Sequence, residues 1–152
     1  VKRWMIMLAC ALPISCQASV DDWGTYLSRI ADANRNVIHL LPERVRSIGD
    51  KLSDEQAQEL AYAISLALIK DPVNVLKATN VIEQYPDALQ QRFGTSLICS
   101  MPAISRLTLN QLKDYFAHAQ RALESAGKPA KACLDNMQET WAEVKRETVR
   151  KQ

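Results

Sequence analysis

"TLNQLKDYFAHAQRALESAGKP", residues 108–129, decides the fold class of this chain. Thr108 and Gln111 have the spacing of a capping box, and Leu107 and Leu112 occupy the two hydrophobic-staple positions around it. Leu109, Leu112, Phe116, Ala119 and Leu123 follow along one side, and Gly127 then Pro129 close the run. A capped start, an apolar stripe and a Gly–Pro stop within one stretch specify a helix.

The same grammar recurs on both sides. Ser53-Asp54-Glu55-Gln56 is a second capping box, leading a stripe of Ala57, Leu60, Ala61, Ile64, Ala67 and Leu68. Asp71-Pro72 stops that helix and starts the next, with Asp71 as cap and Pro72 at the first helical position. Val73, Leu76 and Val81 are the expected stripe of this helix, which ends before Tyr85-Pro86. Upstream, Trp23, Leu27, Ile30, Asn34, Val37 and Leu41 predict one helix from Asp22 to Leu41, capped by Asp21 or Asp22 and followed by Pro42. Downstream, Cys133, Met137, Trp141 and Val144 share a stripe on a helix from Pro129 to Arg150. A short helix from Pro86 to Phe93 ends at Gly94, and "TSLICSMP", residues 95–102, reads as a helical turn or a short extended stretch. Alternating apolar runs are hard to find and glycine is scarce. The expectation is all-α, an irregular bundle of five or six helices with one disulfide, in a single domain over residues 19–152.

Residues 1–18 read as a signal peptide. Lys2 and Arg3 precede an apolar run from Trp4 to Ile14, after which small residues lead to the acidic Asp21-Asp22. Eleven residues are too few to span a bilayer core, which needs about 20. Cleavage after Ala18 places Cys16 at −3 and discards Cys10 and Cys16. The alternative is a lipoprotein anchored at Cys16, although Pro13 stands where such a signal wants Leu. The expected location is the periplasm.

Removing the leader takes Lys2 and Arg3 and leaves seventeen basic against seventeen acidic residues. A near-neutral chain gives no electrostatic case for nucleic acid. Lys145, Arg146, Arg150 and Lys151 at the C-terminus complement the negative end of a helix dipole. Two cysteines remain, Cys99 and Cys133, and an even count in an exported chain reads as one disulfide. No Cys-x-x-Cys pair or nearby His suggests a metal, and no cofactor is expected.

Catalytic patterns are missing. His39 and His118 stand alone on their helices, without a nucleophile or carboxylate at a telling spacing. There is no nucleophile elbow, His-Glu-x-x-His or phosphate-cradling glycine loop. Only a carboxylate pair among Glu43, Asp54, Glu55 and Glu59 keeps a cell-wall hydrolase in view, and Asp54 and Glu55 are explained as first-turn acids. Binding is the remaining class. Residues 82–102 break the helical regularity, and within them Tyr85, Asp87, Arg92 and Phe93 are the candidate partner contacts.

This layout of leader, one-disulfide helical body and missing catalytic set resembles small periplasmic immunity proteins that protect Gram-negative bacteria against type VI secreted cell-wall amidases. The resemblance implies a compact helical inhibitor that blocks a toxin's active site by direct contact, often as a homo-oligomer. The expected function is therefore a non-enzymatic protein-binding protein with a protein partner and no membrane span after leader removal. The alternative is a structural accessory or chaperone of an envelope secretion or conjugation apparatus.

Overall fold

Asn34 turns what reads as one long helix into two. The computed structural model describes residues 21–151, so the expected leader, its cleavage point after Ala18, and Cys10 and Cys16 lie outside the described residues. Helix α1 (Asp21–Ala31) stops at a turn in which Ala33 takes a positive φ of 54°, and α2 (Arg35–Ile48) begins afresh. The Asn34 side chain accepts a hydrogen bond from Val37 N at 3.2 Å, serving as a cap where the periodicity placed it on a stripe. Pro42 does not end the helix either. It lies inside α2, where it removes one N–H from the ladder, and burial of Leu41 and Val45 on either side offsets that loss. The Tyr85 hydroxyl donates to the Pro42 carbonyl at 2.9 Å.

The second helical pair follows the reading closely. Helix α3 (Asp54–Lys70) opens with the Ser53–Gln56 capping box, both of its bonds formed. Helix α4 (Pro72–Glu83) starts from Asp71, whose carboxylate accepts from Asn74 N at 3.3 Å, with Pro72 at its first position. The stripe of α4 is rotated from the expected one: Val75, Leu76, Ala78, Thr79 and Ile82 are buried, while Val81 is 48% exposed. Since α2, α3 and the turn at Thr95–Ile98 all pack on α4, more than one face must be apolar, and simple periodicity then misplaces the stripe.

Two single-turn helices follow, α5 (Ala88–Gln91) and α6 (Thr95–Ile98), then α7 (Leu109–Ala126) and α8 (Lys131–Arg150). The described residues thus hold eight α-helices and no strand, against the five or six expected; α5 is the short helix expected over 86–93, and the split at Asn34 and the single turn α6 make the two beyond six. Gly127, with a positive φ of 72°, ends α7 as its position after the last stripe residue predicts. No helix among the described residues is long and apolar enough to cross a membrane.

Helix α3 is the axis of the bundle. Leu60, Ile64, Ala67 and Leu68 are fully buried, with α1, α4 and α7 packed around them. The buried Ser65 donates its hydroxyl to the Ala61 carbonyl at 2.9 Å, and its own carbonyl accepts from Tyr115 Oη at 3.1 Å. On α7, Tyr115 takes the buried position that the periodicity offered to Phe116, which is half-buried.

Burial holds two tyrosines neutral. Desolvation pushes Tyr26 up to about 12, partly offset by the Arg44 guanidinium, whose carbon lies 5.3 Å from the ring centre. Desolvation also raises Tyr115, against the lowering effect of its bond to Ser65. A folded-state pKa above the unfolded value adds stability that is complete below the ordinary tyrosine pKa of about 10 and is lost as pH rises. For Tyr26 that window closes at about 12. An alkaline titration followed by tyrosinate absorbance is therefore expected to show Tyr26→Phe removing a late-titrating group. A difference spectrum already saturated at the ordinary pKa would contradict this.

Candidate functional site

Glu83, at the end of α4, organises the irregular segment that follows. Gly94 precedes α6 and has no side chain with which to cap it, so Glu83 supplies the carboxylate instead. One of its oxygens accepts from Ser96 N at 3.1 Å and the other from the Ser96 hydroxyl. The arrangement requires glycine at position 94, because an added Cβ would fall 2.9 Å from the Gln91 carbonyl oxygen and 3.0 Å from Glu83 Cα. Gly94→Ala is expected to cost about 2 kcal/mol by overpacking, read as a lower urea midpoint at unchanged slope.

Further ties hold residues 84–102 to the bundle. The Thr79 and Thr95 hydroxyls share a hydrogen bond of 2.8 Å. Gln90 Nε2 donates to the Arg46 carbonyl at 3.1 Å, and Gln91 Nε2 to the Glu83 carbonyl at 3.0 Å. Asn136 of α8 donates to the Ser96 carbonyl at 3.1 Å. Behind α6, Cys99 and Cys133 stand at disulfide-bonding distance, both buried, with Cα atoms 5.1 Å apart.

The four candidate contacts divide accordingly. Tyr85 and Phe93 are not surface: Phe93 is fully buried, and Tyr85 is buried with its hydroxyl on Pro42 and Arg46 over its ring at 4.8 Å. Their aromatic area goes to the core, which corrects the expectation that they meet a partner. Asp87 is exposed and caps α5, accepting from Leu89 N at 2.8 Å and Gln90 N at 3.1 Å. Arg92 is partly buried; its Nη2 donates to the Gly49 carbonyl at 2.9 Å and its guanidinium carbon lies 5.3 Å from the Phe93 ring centre. Asp54 faces Arg92 at 4.0 Å, fully exposed.

Arg92 and Phe93 nevertheless border a cleft. It lies between the first half of α3 and residues 92–102 and measures about 400 Å³. Ala57 and Ala61 form a floor of small residues on the α3 side. Opposite them, Leu97 is 49% exposed beside Ser100 and Pro102. Among the described residues the lip carries one cation, Arg92, and one anion, Asp54. Such a surface suits an apolar side chain flanked by polar groups, as in a protein interface.

Leu97, Ser100, Pro102 and the α3 alanines were not among the sequence candidates. A signal for Leu97 was present. In a helical turn, the residue two before an inward-pointing cysteine lies on the far side, and Cys99 had to point inward to reach Cys133.

The remaining candidates are scattered. Glu59 accepts a hydrogen bond from Trp23 Nε1 at 2.8 Å and so joins α1 to α3, while Glu43 is exposed on α2. His118 Nδ1 lies 2.7 Å from the Asp114 carbonyl on its own helix, and His39 borders a separate groove with Arg35 and Lys77. Among the described residues no group of three His, Cys, Asp or Glu side chains is placed to hold a metal ion. Compared with known protein families, curated proteins and solved structures, the chain matches none.

Proposed function

We propose that this chain is an exported, periplasmic, non-enzymatic binding protein that seats a segment of a protein partner in the cleft between α3 and residues 92–102. Its action there is inhibition by occlusion of a secreted or envelope-acting enzyme. The observation that carries the reading is the preorganisation of that segment. Side-chain ties to α2, α4 and α8, together with the Cys99–Cys133 pair, fix it before any partner arrives. A surface that loses little freedom on binding keeps more of its contact energy as affinity. Export is supported by the order of charge, apolar run and small residues in 1–18, and by cysteines placed for oxidation.

The hydrolase alternative has less support. Glu59 is engaged by Trp23, and among the described residues Asp54 is the one carboxylate lining the cleft. General acid–base cleavage of a glycosidic bond needs two carboxylates across the scissile atom.

The test places a photo-crosslinking residue at Leu97, with a control at the slightly more exposed Leu40 of α2, in the envelope of the cell of origin. A discrete protein adduct at 97 and not at 40, whose purified enzyme activity falls on adding this chain, meets the proposal. An adduct with no effect on activity would move the reading to an accessory or chaperone. No adduct at 97 would overturn the cleft. Intact mass of periplasmic material without reductant, starting at Ser19 and short by two hydrogens, would establish export and the bridge separately.

A further inference from the structure

The hairpin of α7 and α8 carries a second surface that the cleft does not use. Its groove measures about 630 Å³. Phe116 and Trp141 stack at its floor, with ring centroids 5.4 Å apart and planes 20° from parallel. Leu109 on the α7 wall and Val149 on the α8 wall are 47% and 74% exposed, a high exposure for aliphatic side chains lining one groove. Lys113 rises from the α7 wall and Lys145 from the α8 wall. Arg146 and Arg150 continue the cationic rim past Val149. Among the described residues, no acidic side chain lines this groove or its extension, and none of the four cations has an ion-pair partner.

We propose that this groove docks an acidic amphipathic helix of about three turns, supplied by a protein partner. The length follows from the walls: the α7 wall residues run from Leu109 to Gln120, about 17 Å at the helical rise. A third helix laid along two antiparallel helices would cover Leu109 and Val149 and bring apolar anchors onto Phe116 and Trp141, the helix-in-groove mode. The charge follows from the rim. Carboxylates flanking the incoming apolar stripe would meet the four unpaired cations. A second copy of this chain is the poorer occupant, since a two-fold contact here would set Lys113 and Lys145 against themselves. A small ligand also fits less well, because a groove this exposed along its rim cannot enclose most of a ligand's surface.

The test uses two synthetic helical peptides of about fifteen residues, sharing one leucine stripe, flanked by Glu in one and by Lys in the other. The protein carries 5-fluorotryptophan, and its Trp141 fluorine signal is assigned with Trp141→Phe. The Glu-flanked peptide is expected to shift the Trp141 signal saturably and to bind about tenfold more tightly than the Lys-flanked one, with the preference shrinking as salt is raised. Lys113→Glu with Lys145→Glu should reverse the preference while the melting curve stays in place, since both side chains are exposed. Equal binding of the two peptides, binding of neither, or a response confined to Trp23 would overturn the proposal. So would a Trp141 signal that tracks protein concentration as light scattering reports a dimer, for the groove would then hold a second copy.

Discussion

Replacing Cys99 and Cys133 together by alanine is expected to lower the unfolding free energy by about 4 kcal/mol, and the melting temperature by about 15 °C. The magnitude comes from the sequence separation of 34 between the two cysteines. Untying a loop of that size returns freedom to the unfolded chain without removing a large buried surface. Alanine is the appropriate replacement because both positions are buried, and serine would add the cost of unsatisfied hydroxyls. Melts followed by circular dichroism, with and without reductant, provide the measurement, and the reduced parent should approach the double variant. A loss below about 1 kcal/mol together with a parent melt unmoved by reductant would mean that the two cysteines are not bonded in the protein as isolated.

Phe93→Ala is expected to cost about 3–5 kcal/mol, whereas Phe93→Leu should cost less than about 1.5. Phe93 is the largest fully buried side chain among the described residues, and it anchors the segment that forms one wall of the cleft. Its loss leaves a cavity that the surrounding ties prevent from collapsing: Arg92 is held at the Gly49 carbonyl and Ser96 at Glu83. Urea titration of both variants distinguishes this role from a contact role. An interface residue would leave the midpoint unchanged and lose only affinity. Burial moves the midpoint first.

The helices that were legible in the sequence are those with local instructions. Ser53–Gln56, Asp71-Pro72, Thr108–Gln111 and Gly127 act within one turn, and each stands in the structure where its spacing puts it. Pro42 and Asn34 misled because each has two local uses. Asn34 fits a stripe by position and a cap by chemistry, and the cap prevailed; Pro42 reads as a stop, yet the burial around it carries the helix through. The site was harder to see. Tyr85 and Phe93 have the composition of a hot spot, but aromatic residues are equally suited to a core, and the contacts that choose between these fates span long separations. Tyr85 bonds a carbonyl 43 residues away, and Arg92 reaches Gly49 across the same interval. No window of sequence carries such information.

The placement of the two cysteines also sets how the bonded protein responds to force. They flank α7, so tension applied to the chain ends passes from α6 to α8 through the sulfurs, and the stretch between them bears none. The oxidised chain has about 120 Å less length to give up under load than the reduced one. A motor threading it from the C-terminus would release α8, reach Cys133, and then have to admit two strands at once. Oxidation therefore works as a mechanical clutch: the last helix yields to pulling, while α7 stays slack inside a closed ring.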